Sequence, residues 1–381
     1  METVKLGLLI KKTKVARCGE HSYPVLSITK QDGIIMQSEK FKKRIASADT
    51  SDYKIIPRGK LVQGIHIDEG NFGIQDIVDN GIVSPAYGVW DINDGLVIPK
   101  YLEMVLRSPK SIEFYRSKLT GTVNRRGHMS DADFLSMDIP LPDRDTQSKI
   151  LKTMKQTTSV LYSRQQQLAK LDELIKARFV EMFGDPVNNP LHWKKVKLSE
   201  LADIKIGPFG SLLHKEDYVT GGHPLVNPSH IIDGKIIVDN DLTLTDEKYS
   251  ELVSYHLKKD DIVLGRRGEM GRCAVVDREG LLCGTGSLLL RPTGVVTADY
   301  IQKIISFPTF KKTIEDMAVG QTMPNLNVPI VSNFMIILPP LSVQKEYYAF
   351  VAEVDKSKVE VQKALDQTQL LFDSLMQQYF G

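Results

Sequence analysis

Two long stretches of this chain carry apolar residues at the alternating spacing of three and four that coiled-coil helices use. In residues 338–381 the two interleaved series of positions seven apart are Tyr347, Val354, Val361, Thr368, Leu375 and Val351, Lys358, Leu365, Phe372, Tyr379. Residues 141–184 hold the same series in the same phase, namely Ile150, Thr157, Arg164, Leu171, Arg178 and Met154, Leu161, Leu168, Ile175, Met182. Each stretch is therefore predicted to form one long helix with an apolar seam, to which the first copy adds two arginines.

The two stretches are copies of one unit. They align without a gap, and both hold the Leu-Pro pair, the glutamine and the terminal Phe-Gly that appear at Leu141, Pro142, Gln147, Phe183 and Gly184 in the first copy. Each copy closes a half that opens on Val-Lys-Leu, at Val4 and Val196. The repeat predicts two tandem versions of one domain with pseudo-twofold symmetry. The predicted segments are a first globular domain at 1–140, a helical repeat at 141–184, a linker at 185–195, a second globular domain at 196–337 and a second repeat at 338–381.

Start and stop signals delimit the helices. We expect the first helix to begin near Asp145 or Thr146 and to end at Phe183, which makes it ~57 Å long at 1.5 Å per residue. Asp145 and Ser342 are the expected N-caps, and Gly184 closes the first C-terminus. Two matched seams in one chain predict that the helices pair with each other, antiparallel; the alternative is two unrelated surface helices.

The segments before the repeats follow a different pattern. Short β-rich runs broken by turns occupy 231–238, 261–264, 273–276 and 287–290, followed by predicted helices at 299–306 and 308–317. The first segment has similar runs at 32–35, 60–62 and 81–83 and a predicted helix at 100–107. The predicted fold class is α+β, with two globular domains separated by two long helices that form an antiparallel coiled coil.

Composition narrows the class of protein. The formal net charge is +2, so an anionic partner must be met by local basic patches. No apolar run approaches the ~18 residues of a membrane span, and no cationic segment precedes an apolar run at the N-terminus, so neither membrane insertion nor secretion is expected. Cys18, Cys273 and Cys283 are isolated in the sequence, which predicts buried thiols rather than a disulfide framework or a zinc site.

Sequence motifs of catalysis are missing. The chain has no GxxxxGK[ST], HExxH or GxSxG, and none of the [DN]PP[YF] tetrapeptide of amino-methyltransferases. Asp172 and Lys176 suggest a nuclease cluster, but both lie off the seam, and we interpret them as an ordinary i,i+4 pair on a solvated face.

Loops of the globular domains carry the better candidates. Residues 265–272 follow a strand and hold three arginines among glycines, a turn suited to phosphates or to the O6 and N7 edge of guanine. The turn at 206–215 is a second candidate, and corresponding loops of the two domains carry unlike side chains. The predicted DNA-binding residues are Lys42, Lys43, Arg44, Arg125, Arg126, His128, Ser211, His214, Lys215, Arg266, Arg267, Arg272, Gln321 and Asn325. For any single cluster the alternative is a solvated surface.

With these segments together, the whole chain resembles the specificity subunit of type I restriction-modification enzymes. The resemblance rests on the order of the helical repeat and the runs at 23–37, 204–218, 260–276 and 320–327. It implies two target-recognition domains, each reading half of a bipartite DNA sequence. It also implies a coiled coil that spaces them, with helix contacts expected at Met154, Leu161, Leu168, Ile175, Met182, Val351, Leu365, Phe372 and Tyr379.

The resemblance further implies the partners. Two methyltransferase subunits would bind the helices and methylate adenine with S-adenosylmethionine, and two motor-nuclease subunits using ATP and Mg would join in a restriction complex. This chain itself would be non-catalytic, bind no cofactor or metal, and lie in a bacterial or archaeal cytoplasm. The alternatives are a stand-alone DNA-binding regulator and a scaffold that pairs two subunits without reading DNA.

Overall fold

The computed structural model describes residues 2–30, 32–40, 49–119, 129–318 and 325–381. It divides into two compact units: the first joins Met1–Leu168 with Glu360–Gly381, and the second is Ala169–Val359. The predicted α+β class with two long helices is confirmed. Each long helix contributes residues to both units, so the units differ from the sequence segments delimited by the repeat.

The first unit is built on short strands followed by a helical layer. Its strands are β1 (Thr3–Lys5), β2 (Ile10–Lys12), β3 (Leu26–Thr29), β4 (Gly33–Met36), β5 (Lys54–Pro57), β6 (Leu61–Gln63), β7 (Phe72–Ile74), β8 (Asn80–Val83), β9 (Gly88–Ile92) and β10 (Asp138–Pro140). Its helices are α1 (Leu6–Leu9), α2 (Gln37–Lys40), α3 (Pro99–Leu106), α4 (Pro109–Lys118), α5 (Asp131–Leu135) and the start of α6 (Arg144–Phe183). The main sheet has the order β2-β9-β6-β7 and is antiparallel.

The second unit repeats that plan with an added sheet. Its strands are β11 (Lys195–Lys197), β12 (Ala202–Ile206), β13 (Tyr218–Val219), β14 (His223–Val226), β15 (Ile231–Ile232), β16 (Lys235–Ile236), β17 (Thr243–Leu244), β18 (His256–Leu257), β19 (Ile262–Gly265), β20 (Cys273–Val275), β21 (Leu281–Cys283), β22 (Ser287–Pro292) and β23 (Met335–Ile337). Its helices are α7 (Asp246–Glu251), α8 (Ala298–Ile305), α9 (Pro308–Met317), α10 (Val328–Ser332) and the start of α11 (Leu341–Phe380). The sheet β12-β22-β19-β20 matches the main sheet of the first unit, and the added sheet has the order β13-β17-β14-β21-β18.

A buried glutamine joins each long helix to its globular layer. In the first unit Gln147 Oε1 accepts the backbone N–H of Ile98 at 2.8 Å, and its Nε2 donates to the carbonyl of Pro142 at 2.8 Å. In the second unit Gln344 makes the same two bonds. Its Oε1 accepts the backbone N–H of Thr297 at 3.2 Å, and its Nε2 donates to the carbonyl of Pro339 at 2.9 Å. Both side chains are fully buried. Ile98 and Thr297 are the N-caps of α3 and α8, so the glutamine fixes two helix starts at once.

An aromatic contact recurs beside each glutamine. In the first unit the ring of Phe380 lies 5.7 Å from that of Tyr101, whose hydroxyl donates to the Pro140 carbonyl at 3.0 Å. In the second unit the ring of Phe183 lies 5.2 Å from Tyr300, whose hydroxyl donates to Ile337 at 3.0 Å. In both units, therefore, the last turn of one long helix packs against a short helix of the globular layer, α3 in the first unit and α8 in the second.

The paired helices run antiparallel in each unit. In the second unit Arg178 contacts Glu346 at 3.1 Å and Asp172 contacts Lys358 at 2.6 Å. Positions of higher residue number on α6 therefore contact positions of lower residue number on α11. In the first unit Ile150 and Met154, near the start of α6, share a core with Met376 and Phe380, near the end of α11. Along both helices the seam positions are buried or half-buried while most of the positions between them are exposed.

Three local expectations need correction. Helix α6 begins at Arg144, and the cap is Asp143, whose carboxylate accepts the N–H of Thr146 at 2.8 Å. Ser342 lies inside α11, because that helix begins at Leu341. Asp172 pairs with Lys358 across the seam rather than with Lys176, since the neighbouring helix brings an ammonium group within 2.6 Å. The predicted C-terminal Gly184 is in the left-handed conformation, with φ 74°.

Gln147→Ala is expected to destabilise the first unit by about 3 kcal/mol, because it leaves a buried N–H and a buried carbonyl without partners. The chain has two tryptophans, Trp90 in the first unit and Trp193 in the second. In a Trp193→Phe background, urea unfolding followed by Trp90 fluorescence therefore reports the first unit. The control Gln166→Ala, at an exposed position of the same helix, should change stability by less than about 0.5 kcal/mol. Equal effects of the two substitutions would contradict the assigned role of Gln147.

Candidate DNA interface

One edge of the second unit's main sheet collects the predicted reading loops. Strands β12 and β19 end there and β22 and β20 begin there, because neighbouring strands are antiparallel. The register pairs Ile206 with Leu288 and Gly265 with Ser287. We call the segments at this edge the loop cluster; they are residues 207–212, 265–272, 284–287 and 325–327.

Backbone hydrogen bonds hold the loop cluster together. Gly207 N–H donates to the Ser287 carbonyl at 2.9 Å, and Arg266 N–H donates to Gly286 at 2.9 Å. Gly265 N–H reaches the Arg272 carbonyl at 2.8 Å, and Leu326 N–H reaches Arg266 at 2.9 Å. Loops distant in sequence therefore share one hydrogen-bonded edge. Loops fixed on a sheet in this way are common sites of recognition.

Glycine is required where the loops meet most closely. A Cβ at Gly207 would lie 2.0 Å from the carbonyl oxygen of Gly284, which no side chain can accommodate. In the arginine turn Gly268 and Gly271 have φ of 81° and 74°, in the left-handed region that favours glycine. These glycines let the turn 265–272 fold tightly and place its arginines at the surface.

Two adjacent arginines of this turn lack acidic partners. Arg266 Nε donates to the carbonyl of Leu326 at 3.1 Å, and Arg267 is exposed. In the described part of the chain neither forms an ion pair. Partial burial, and then the neighbouring charge of Arg267, lower the pKa of Arg266. Two like charges held together without a carboxylate favour the approach of an anion.

Arg272 is placed differently from its neighbours. Its guanidinium contacts Glu269 at 2.8 Å and donates to the carbonyl of Pro228 at 3.2 Å. Glu269 also binds Lys311 at 2.8 Å, and hydrogen bonds from Lys311 and Arg272 lower the pKa of Glu269 to about 2. This network closes the arginine turn. The predicted DNA contact of Arg272 stays a prediction, and the hydrogen bonds observed for its guanidinium are structural.

The other predicted site residues fall into two groups. Asn325 begins the last segment of the loop cluster, and its Oδ1 is buried without a hydrogen-bond partner among the described residues. His214 is exposed, and its N–H donates to Asp217 at 2.7 Å; Ser211 and Lys215 lie in the adjoining turns Gly210–Leu212 and Lys215–Asp217. The remaining predicted residues lie outside the described part of the chain: Lys42, Lys43, Arg44, Arg125, Arg126, His128 and Gln321.

The comparisons with known proteins agree with this geometry. Residues 190–368 match the family described as the type I restriction modification DNA specificity domain. The MjaVIII specificity subunit of Methanocaldococcus jannaschii, a type I restriction enzyme subunit, is 22% identical over 95% of this chain and 89% of its own length. Over these ranges the chain is similar to type I specificity subunits.

Solved structures of type I specificity subunits share its fold. A chain of a type I R-M system studied for complex assembly and conformational transition has a TM-score of 0.66 at 17% identity, covering 100% of this chain and 97% of its own. The HsdS subunit of Thermoanaerobacter tengcongensis has a TM-score of 0.50 at 18% identity, covering 100% and 96%. The S subunit of M. genitalium has a TM-score of 0.53 at 15% identity, with the same coverage. The resemblance stated from the sequence is thereby confirmed.

The first unit has its own version of the arginine turn. Gly64 N–H donates to the Asn71 carbonyl at 2.7 Å, as Gly265 does to Arg272, and the turn again joins the third and fourth strands of the main sheet. It carries His66, Asp68 and Glu69 instead of arginines. Sequence reasoning did not identify this turn, because its acidic residues do not resemble a basic patch; the glycines at 64 and 70 were the available signal. The two units therefore present matched turns of opposite charge.

The described residues contain no group of three His, Cys, Asp or Glu placed to hold a metal ion. Nor do they form a helix long and apolar enough to cross a membrane. The three cysteines are buried and free, as the sequence predicts. Burial raises the pKa of the Cys273 and Cys283 thiols to about 12, so both stay protonated at neutral pH.

Glu269→Gln is expected to reduce stability in a pH-dependent way. The folded pKa of about 2 lies below the ordinary value of 4.5, so ionised Glu269 stabilises the fold fully above about pH 4.5 and the contribution is lost as the pH falls towards 2. Because the side chain is 52% exposed, solvent screening limits the effect to about 1 kcal/mol or less. The free energies of urea unfolding of the wild type and Glu269→Gln should differ at pH 7, and the difference should shrink progressively as the pH is lowered from 4.5 towards 2. The control Glu315→Gln, exposed on α9, should show no such convergence.

Proposed function

We propose that this chain is the DNA-reading subunit of a type I restriction-modification complex and that its two units read the two halves of a bipartite target. The observation that supports this most directly is the loop cluster, with Arg266 and Arg267 held on one hydrogen-bonded edge and with no acidic partner among the described residues. A solvated surface patch would not require the close-packed glycines that bring four loops to this edge. The similarity to type I specificity subunits supports the same assignment.

The chemistry of the arginine turn suits duplex DNA. A guanidinium group donates two parallel hydrogen bonds to O6 and N7 of guanine or to a phosphate. Arg266 is oriented by its bond to Leu326, which reduces the conformational entropy lost on binding, whereas Arg267 is exposed and free to reach outward. We assign Arg266 to a base edge and Arg267 to a base edge or the adjoining phosphate.

Two turns with different side chains on the same scaffold support the recognition of two different half-sites. The turn Gly64–Asn71 presents acidic side chains and a histidine, and a carboxylate can accept a hydrogen bond from the amino group of cytosine. The turn at 265–272 presents arginines. Two units with the same sheet order and different side chains at the matching turn would read different bases.

We further propose that two copies of a methyltransferase subunit bind along the long helices. Each unit exposes one apolar pair at equivalent repeat positions: Tyr162 and Leu371 in the first unit, Val359 and Leu174 in the second. Large apolar side chains on solvent-facing helix positions are typical of protein contacts. The repetition of the pair supports two copies of one partner.

The chemistry is assigned to those partners. We place S-adenosylmethionine and adenine methylation on the methyltransferase subunits, and ATP and Mg on two motor-nuclease subunits where a restriction complex forms. The buried, protonated Cys273 and Cys283 offer no nucleophile, and no motif of the sequence offers a phosphate loop or a methyltransferase tetrapeptide. On this proposal the purified chain binds DNA and methylates it only after reconstitution with its partners, in the cytoplasm of the host.

Arg266→Ala and Arg267→Ala are each expected to weaken binding of the target duplex about tenfold, since one good guanidinium contact contributes about 1–3 kcal/mol. Affinity is measured by fluorescence anisotropy at one fixed salt concentration, because phosphate contacts make it salt-dependent. Methylome sequencing of hosts that carry each variant reports whether one half-site is relaxed. The matched control is Arg278→Ala, an exposed arginine beyond the other end of β20. Unchanged affinity and methylation pattern in both variants would refute the assignment.

The helices are expected to set the spacer between half-sites. Inserting one heptad into each helix, after Leu168 in α6 and after Val359 in α11, keeps the seam in phase and lengthens each helix by ~10.5 Å. At 3.4 Å per base pair, the spacer in the methylated sequence should grow by about three base pairs. A methylome with the original spacer would contradict this role of the helices.

A further inference from the structure

Phe209 differs from the other described phenylalanines in its solvent exposure. It is 60% exposed, and every other phenylalanine in the described part of the chain is buried or half-buried. It belongs to none of the apolar clusters that form the cores of the two units. Its ring therefore contributes little to folding.

The loop that carries Phe209 is fixed at its base. Gly207 is bonded to Ser287 at 2.9 Å and is packed so closely against Gly284 that only glycine fits. Pro208 has a restricted φ, Phe209 is extended with φ −148° and ψ 168°, and Gly210 turns the chain with φ 63°. The ring is consequently held out on a stiff peptide rather than on a long flexible loop.

Cations lie on the same edge. Gly286, next to the Ser287 that anchors the Phe209 loop, accepts the N–H of Arg266 at 2.9 Å, and Arg267 follows in the chain. Phe209 is two residues from its anchor, so its backbone lies within about 8 Å of that anchor at 3.8 Å per residue. Within the described part of the chain, these two arginines have no acidic partner. An exposed apolar ring beside them matches a nucleic acid, whose phosphates attract the cations and whose stacked bases accept an inserted ring.

The matching position of the first unit carries no aromatic ring. Thr13 is the counterpart of Gly207, since Thr13 N–H donates to β9 at Val89 as Gly207 N–H does to Ser287. The position matching Phe209 is then Val15, which is half-buried and packs on the core that contains Leu26 and Val83. At this position, therefore, the exposed ring is a feature of the second unit and not of the first.

We propose that Phe209 inserts its ring between two neighbouring base pairs of the half-site read by the second unit and unstacks that step. This rests on the proposed DNA-reading function. Unstacking a step costs a few kcal/mol and is offset by the contacts of the bent duplex, so flexible pyrimidine–purine steps are favoured at that position. Phe209 would thus add a sequence preference in one half-site that involves no hydrogen bond to a base.

The test uses the full chain in complex with its methyltransferase partners and duplexes of the target identified by methylome sequencing. Single 2-aminopurines are placed in turn along both half-sites, because the fluorescence of this base rises when it is unstacked. The wild type should raise the signal severalfold at one step of the second unit's half-site. Phe209→Ala should abolish that rise and weaken binding about tenfold. Phe209→Leu, which keeps an apolar wedge, should retain most of the rise.

Two controls separate this proposal from the function on which it rests. Val295→Ala changes an exposed apolar residue at the other end of β22 and should leave the fluorescence pattern unchanged. The rise in 2-aminopurine fluorescence at the adenine that the partner methylates should persist in Phe209→Ala. Its persistence would show that the variant complex still binds DNA. Specific binding and methylation with identical 2-aminopurine patterns in the wild type and Phe209→Ala would overturn the wedge and leave DNA reading intact. Failure of the wild-type complex to bind the duplex specifically would overturn both.

Discussion

The fold depends on one buried amide in each unit. Gln147 and Gln344 lie near the start of the long helices, each bonded to a helix N-cap in the globular layer and to the proline carbonyl that precedes its own helix. A buried amide must satisfy both its donor and its acceptor, so the side chain fixes three backbone segments with little tolerance. The long helix consequently leaves its globular layer in one defined direction. That rigidity is what a protein needs if its helices are to space two reading surfaces.

A rigid scaffold permits variable loops. The order of the main sheet and the bond that closes the turn between its third and fourth strands are the same in both units, at Gly64 and at Gly265. Those bonds are made by the backbone, so acidic residues at 68 and 69 and arginines at 266 and 267 are equally compatible with them. One architecture therefore accommodates two turns with different side chains. Phe209 and Val15 show that apolar side chains also differ between the two units at matching positions of the shared scaffold.

Charged groups on the second unit's edge divide into those that form ion pairs and those that do not, within the described part of the chain. Arg272 and Lys311 are neutralised by Glu269, which closes the arginine turn, while Arg266 and Arg267 have no acidic partner in the described part of the chain. Three arginines within seven residues are indistinguishable in sequence. Only the position of Glu269, three residues before Arg272 and beside Lys311 of α9, shows which of them is committed to the fold.

The sequence by itself determined the repeat, the heptad phase, the α+β class and the family resemblance, because these follow from periodic spacing and from the order of segments. It also predicted α9 at Pro308–Met317, where a proline start and an amphipathic pattern agree. It misplaced the cap of α6, since Asp143 and Asp145 are equally good acceptors and only the path of the backbone selects Asp143. Tertiary structure alone decided that Asp172 pairs with Lys358, that Gly64–Asn71 matches the arginine turn and that Phe209 is exposed. Each of these depends on residues far apart in sequence, whose proximity no local pattern encodes.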